Sequence, residues 1–203
     1  MKLSTAIFMT GLLLISMSAT AGITPGTHQA GVALGAANPL SHHTVDGSRA
    51  EFGSVGPTLG FSYLYQLRPN LSLGADLSFK SLGDKDFRTG QGPVQVESSA
   101  WTLLAIGRGD LTPDSDLRPY GLLGLGLGGV KREIRYSVSP RFDREQTSGG
   151  FAAVIGAGLD FDINASWLAG AELRYSYINT EVSEVGTGSV RTLDLQFKAG
   201  YKF

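Results

Sequence analysis

Apolar and polar residues alternate with a period of two along most of the chain. The C-terminal segment shows this most clearly, because every second residue from Leu193 to Phe203 is apolar. Successive side chains of a β-strand point to opposite faces, so this period predicts a strand with one apolar face. Four further segments alternate in the same way: residues 59–67, 71–79, 151–161 and 167–177.

Three other segments alternate less regularly: residues 29–37, 99–109 and 120–130. In the second of these, residues 103–106 form a continuous apolar run, which predicts a bulge or a change of register. Together the segments predict eight strands of about 9–13 residues. A tilted strand needs about 9–11 residues to cross a bilayer, so each segment is long enough.

The connections between these strands alternate in length. Residues 68–70, 110–118 and 163–165 form short turns, whereas residues 38–55, 82–96, 132–148 and 179–189 are predicted to form long polar loops. Short turns at one rim and long loops at the other are typical of outer-membrane barrels, and both termini then lie on the periplasmic side.

The N-terminus has the features of an export signal. Lys2 is followed by an apolar run at residues 7–15, and Ala19-Thr20-Ala21 forms a small-x-small cleavage site before Gly22. The apolar run is too short to cross about 30 Å of hydrocarbon as a helix. We therefore expect a cleaved signal peptide at residues 1–21 and one domain at residues 22–203.

Composition and charge exclude several other classes of protein. The chain has 28 glycines in 203 residues, which weakens the case for helices. It has no cysteine, so disulfides, thiol catalysis and thiolate metal sites are impossible. Its formal net charge of −1 gives no electrostatic reason to bind nucleic acid.

The position of the aromatic residues indicates which face of the sheet is outside. A soluble lipocalin-type barrel also alternates, but it keeps its apolar face inside. Here aromatic residues lie near both ends of the apolar faces, as in the two interface belts of membrane barrels. An eight-stranded lumen is also too narrow for so many large rings. We therefore predict an eight-stranded antiparallel transmembrane up-and-down barrel with its apolar face toward lipid.

Several motifs resemble those of a known family. The ending of the chain, with Phe197, Tyr201 and Phe203, resembles the C-terminal assembly signal of bacterial outer-membrane barrels. Residues 156–161 with 167–177, and residues 119–128, resemble the OmpA/OmpX-like and opacity-type small barrels. The resemblance implies an outer-membrane location, a monomer in lipid and lipopolysaccharide, and contacts with the barrel-assembly machinery and periplasmic chaperones during biogenesis.

The polar face, placed inward, carries an equal number of acids and bases. An ion-selective channel usually shows a bias of sign, whereas buried charges in equal number are expected to pair. We therefore predict a plugged lumen, with a small passive porin-like channel as the alternative. The ten residues of this lumen charge network are Asp76, Lys80, Arg108, Asp160, Asp162, Glu172, Arg174, Asp194, Lys198 and Lys202.

An enzyme that modifies lipid A is a further alternative. His42 and His43 follow Ser41 in the first long loop, so a Ser/His pair is conceivable, but no histidine occurs later in the chain. Asp46 and Glu51 are the carboxylates nearest to this pair, which makes a weak metal site. We predict no catalytic residues, no metal and no cofactor.

The third long loop is rich in basic residues, and it forms either a solvated tip or a patch that binds lipopolysaccharide phosphates or another anionic partner. Because loops carry specificity in such barrels, we predict a structural or surface-interaction role in adhesion or envelope integrity. The basic residues are Lys131, Arg132, Arg135, Arg141 and Arg144.

Overall fold

The structure, a computed structural model, describes residues 24–40, 42–45, 48–51, 55–89, 92–136, 144–180 and 188–203. The predicted signal-cleavage residues Ala19, Ala21 and Gly22 lie outside these ranges. No helix within them is long and apolar enough to span a membrane. The strands are β1 (His28–Pro39), β2 (His42–Val45), β3 (Ser48–Glu51), β4 (Gly56–Arg68), β5 (Leu71–Thr89), β6 (Gly92–Asp110), β7 (Leu117–Tyr136), β8 (Arg144–Asp162), β9 (Trp167–Thr180) and β10 (Gly188–Lys202).

Eight of these strands close into one antiparallel barrel in the order β1-β10-β9-β8-β7-β6-β5-β4. The closure joins β10 to β1, and the backbones of His28 and Phe203 exchange two hydrogen bonds of 2.9 Å. A closed sheet has no edge with unpaired backbone groups. A bilayer requires this, because lipid cannot form hydrogen bonds with backbone N–H and C=O groups. The predicted eight-stranded antiparallel barrel is confirmed, and β2 and β3 form a separate hairpin in the first long connection.

The alternation of polar and apolar residues in the sequence corresponds to side chains that point alternately into the lumen and to the outside of the barrel. In β10, Asp194 and Gln196 are 0% and 1% exposed, whereas Leu195 and Phe197 are 49% and 64% exposed. Polar residues thus lie inside and large apolar residues outside, which is the reverse of a lipocalin-type barrel. Hydrocarbon is the solvent in which such a surface is stable.

Four consecutive strands are longer than the alternation predicts. β5 to β8 have 19 or 20 residues, whereas β1, β4, β9 and β10 have 12 to 15. The prediction of long loops at residues 82–96 and 132–148 is therefore wrong for most of these residues. There β5 and β6, and likewise β7 and β8, continue to pair as two-stranded hairpins. Beyond the membrane both faces of a hairpin meet water, so apolar alternation is lost while the backbone ladder persists.

A bulge occurs in β5, and not at residues 103–106 as the apolar run predicts. Ser81 pairs with Ser99 and the next pair joins Asp84 to Glu97, with Gly83 at a φ of 76° between them. Glycine adopts this left-handed conformation without steric cost. Residues 103–106 pair one for one with both neighbouring strands, because their inward positions are simply apolar.

Candidate functional site

The candidate site is the charged interior of the barrel. All ten residues of the predicted network lie at inward positions of β5, β6, β8, β9 and β10. Nine are at most 7% exposed, and the Lys198 side chain is 11% exposed. Asp110 and Arg118, which the sequence analysis placed in a turn, are buried beside them at 4% and 0%. Among the described residues, the well-buried charges of the lumen therefore comprise six acids and six bases, and Arg132 of β7 continues the inward phase toward the long connections with a buried Nε.

The upper pair of the network lies toward the rim with the long connections. Lys80 of β5 forms an ion pair with Asp194 of β10, and its ammonium also donates to Ser176 Oγ at 2.7 Å and Thr192 Oγ1 at 3.1 Å. The three partners match the three donors of a lysine, so each proton of the buried ammonium has an acceptor.

Ion pairs link several strands across the middle of the lumen. Arg174 of β9 donates from Nη1 to Asp76 Oδ2 of β5 at 2.9 Å and from Nε to Glu172. Arg108 of β6 pairs with Asp110 of the same strand, and with Asp160 of β8 at 2.5 Å between Nη1 and Oδ2.

Tyr120 and Lys198 connect the two arginine clusters. Lys198 Nζ lies 2.8 Å from Asp160 Oδ1 and 3.9 Å from Glu172 Oε2. The Tyr120 hydroxyl donates to Glu172 Oε2 at 2.5 Å. Its ring centre lies 3.7 Å from Arg108 Cζ and 4.1 Å from Lys198 Nζ. The ring therefore interacts with two cations through its π electrons.

The lower cluster lies toward the rim with the short turns. Asp162 of β8 accepts from Arg118 Nη2 at 2.7 Å and from Lys202 Nζ at 2.9 Å, one cation on each carboxylate oxygen. Arg118 lies two residues before the inward Tyr120, and Asp110 lies two residues after the inward Arg108. Because side chains alternate with a period of two, both residues also point into the lumen.

Apolar side chains and a very small cavity complete the lumen. Leu82, Val130, Ile178 and Val190 are at most 1% exposed and lie toward the rim with the long connections. The cavity lined by Gln196 and the central ion pairs measures about 20 Å³. A single water needs about 10–15 Å³, so this cavity has room for about one or two waters.

The three residues of the predicted assembly signal lie outward on β10 or directly after it, near the contact with β1. Phe197, Tyr201 and Phe203 are 64%, 42% and 63% exposed. Phe203 stacks on His28 with ring centres 5.6 Å apart, and Tyr201 contacts the Trp167 ring edge-on at 5.0 Å. Their role in assembly stays a prediction.

The residues of the enzyme and metal alternatives lie mostly outside the described side chains. Register pairs His42 with Glu51 and His43 with Ala50 in the β2–β3 hairpin. Within the part of the chain whose side chains are described, no group of three or more His, Asp or Glu is arranged to hold a metal ion.

A closed eight-stranded barrel with an apolar exterior and a charged interior defines the class of small transmembrane barrels. Residues 7–203 match the family described as the outer membrane protein beta-barrel domain, and the chain belongs to this family. It is therefore an outer-membrane protein. No curated protein matches the chain.

Solved structures of this type share the fold. OprG of Pseudomonas aeruginosa is 17% identical, with a TM-score of 0.57 over 91% of this chain and 99% of that one. Ail, the attachment invasion locus protein of Yersinia pestis, is 17% identical, with a TM-score of 0.51 over 87% and 99%; its crystal structure contains the heparin analogue sucrose octasulfate. Neisserial surface protein A is 19% identical, with a TM-score of 0.50 over 88% and 97%.

Proposed function

We propose that the chain is a closed-lumen scaffold that holds its extended strands at the cell surface in a structural or surface-interaction role. It conducts no ions and catalyses no reaction. The observation that carries this proposal is the ion pair between Arg174 and Asp76, whose nitrogen and oxygen lie 2.9 Å apart. β9 and β5 stand at diametrically opposite positions in the order of the eight strands.

A contact between opposite walls of a barrel is possible only where side chains fill the cross-section. Lys80 and Asp194 join β5 to β10 in the same way, with β4 and β1 between the two strands. Opening a passage would require breaking such pairs in a dry interior. Leaving one member unpaired there costs about 3–5 kcal/mol, so a conducting state is strongly disfavoured.

Planar-bilayer recording of the refolded protein tests the closed lumen. We expect no discrete conductance steps from the wild type. The double variant Asp76→Ala/Arg174→Ala removes the pair that spans the lumen, and we expect it to admit ions. The double variant Lys131→Ala/Glu133→Ala, which removes an exposed pair of 3.0 Å outside the lumen, is the matched control. If the wild type shows discrete conductance steps as large as those of the lumen variant, the result would favour the passive channel instead.

Mass analysis of lipid A, with and without expression of the chain, tests the absence of catalysis. We expect identical lipid A species in both cultures. A new or missing acyl chain that depends on His42 or His43 would instead support the enzyme alternative.

The basic third connection supplies a partner chemistry for the surface role. Lys131 begins this basic stretch, and its side chain is 44% exposed. Arg135, Arg141 and Arg144 follow along the sequence. We expect the chain to bind phosphorylated or sulfated glycans, such as lipopolysaccharide, and the presence of a sulfated ligand on Ail makes this class the first to test. Retention on heparin resin should fall when these three arginines become Gln, and unchanged retention would refute the assignment.

A further inference from the structure

Gln66 and Gln196 are both buried in the lumen, but only one of them is satisfied by the protein. Gln66 donates from Nε2 to the backbone carbonyls of Arg68 and Pro69 at 2.6 and 3.1 Å. Its Oε1 accepts from Ser72 at 2.7 Å. Gln196 of β10 is 1% exposed, yet neither atom of its side-chain amide has a hydrogen-bond partner within the described residues. A buried amide without partners carries a full desolvation penalty, so Gln196 calls for a partner outside the protein.

Gln196 lines the small cavity in the middle of the lumen, which measures about 20 Å³. Asp76 is also 1% exposed and lines the same cavity. Its Oδ2 pairs with Arg174, whereas its Oδ1 has no partner in the described part of the chain. Two side chains with three unpaired polar atoms therefore border one space that has room for about one or two waters.

The cavity exists because β1 and β4 carry small residues at this level of the lumen. Ala33 of β1 and Gly60 of β4 both line it. A Cβ added to Gly60 would lie 3.5 Å from Ala33 Cβ and 3.7 Å from Gln196 Oε1, which is ordinary contact, and Gly60 has no positive φ. The fold could therefore accept an alanine here, and the glycine leaves open the space beside the Gln196 amide.

We propose that one or two water molecules are bound in this cavity as a fixed part of the lumen, with hydrogen bonds to the Gln196 amide and to Asp76 Oδ1. The unpaired atoms are two acceptors and one donor group, so their ligand must both donate and accept. Water does both, and it fits whichever way round the amide is placed. A buried water makes about three hydrogen bonds, which is as many as these atoms supply.

The charges around the cavity argue against an ion as the ligand. Three cations line it: Arg108, Arg174 and Lys198. Among the described lining residues, the carboxylates are those of Asp76 and Glu172, so the surroundings are net positive and repel a cation. An anion would have no proton to donate to Asp76 Oδ1. The assignment of a bound water rests on the closed lumen proposed above, because water in an open passage would exchange rapidly.

Nuclear magnetic resonance of isotope-labelled protein in lipid nanodiscs detects the water directly. We expect dipolar cross-peaks between water and the side-chain amide protons of Gln196. Their signs should be opposite in the laboratory and rotating frames, as for water that is held while the protein tumbles. The amide of Gln66, which binds carbonyl oxygens, should show no such cross-peaks and serves as the internal control.

Two alanine variants test whether the water lies in this cavity. Gly60→Ala places a methyl group in the cavity and should abolish the cross-peaks of Gln196. Gly121→Ala adds the same methyl group at an outward position of β7, 3.9 Å from the nearest atom, and should leave them unchanged. Heat-modifiable gel migration shows that each variant has folded.

Urea unfolding in lipid vesicles gives a second readout through Gln196→Met, which removes both amide atoms and keeps the side-chain length. With bound water the urea midpoint should fall, because the water and Asp76 Oδ1 lose partners. Without water the midpoint should rise, because the variant removes an unpaired buried amide.

The outcomes separate the bound water from the closed lumen. Absence of the Gln196 cross-peaks, or a raised midpoint for Gln196→Met, would overturn the bound water and leave the closed lumen standing. Cross-peaks of the same sign in both frames would show rapidly exchanging water and overturn both. Cross-peaks that keep their full intensity in Gly60→Ala would place the water outside this cavity and overturn the site.

Discussion

Lys80 and Asp194 provide the sharpest test of a dry lumen. The two residues are 4% and 0% exposed, and their ion pair crosses from β5 to β10. Asp194→Ala leaves the ammonium of Lys80 buried without its counter-ion. Removing one partner of a buried pair costs about 3–5 kcal/mol. Because Ser176 and Thr192 still accept from Lys80, we expect the lower part of that range, about 3 kcal/mol.

The double variant Lys80→Met/Asp194→Leu removes both charges and keeps the volume. Apolar replacement of a buried pair is often neutral or stabilising, so we expect a stability within about 1 kcal/mol of the wild type. An exposed pair serves as the control: Glu133→Gln breaks the 3.0 Å contact with Lys131, whose side chain is 44% exposed. Such surface pairs contribute about 0–1 kcal/mol.

Urea unfolding in lipid vesicles measures these differences through the fluorescence of the two tryptophans, Trp101 and Trp167. The free energy of unfolding follows from the midpoint and the slope of the transition. If Asp194→Ala costs no more than Glu133→Gln, water reaches Lys80 and the closed lumen is refuted. A double variant as unstable as the single one would instead show that side-chain fit, and not the unpaired charge, sets the cost.

Three other outcomes follow from the structure. Tyr120→Phe removes a hydrogen bond to the buried Glu172 carboxylate and should cost about 1.5–3 kcal/mol in the same unfolding assay. Gly126→Ala should abolish heat-modifiable migration because its Cβ would lie 2.9 Å from Leu104 Cα, whereas Gly121→Ala, with 3.9 Å to the nearest atom, should fold. N-terminal sequencing of the mature protein should begin at Gly22, and an intact residue 1 would contradict the signal peptide.

Period two predicts which residues face the lumen but not which of them pair. Asp76 and Arg174 are 98 residues apart in the chain, and their contact depends on how the tilted strands are staggered around the barrel. Asp110 and Arg118 were missed because polar residues beside a turn resemble a loop, although both continue the inward phase of their strands. The role of Tyr120 depends on its hydroxyl reaching past β8 to Glu172 of β9, which no local pattern contains.

The distribution of charge around the lumen also explains how the barrel can close. Within residues 28–39 and 56–68, the inward positions of β1 and β4 carry no acid or base. The twelve well-buried lumen charges belong to β5 to β10, so that part of the sheet supplies both members of every lumen ion pair described above. β1 adds small inward residues such as Ala33, which lines the same small cavity as Arg174 and Lys198. The pairing of β1 with β10 closes the sheet through the backbone ladder and the aromatic contact between His28 and Phe203. The same closure brings β5 close to β10, so the ion pair between Lys80 and Asp194 forms together with it.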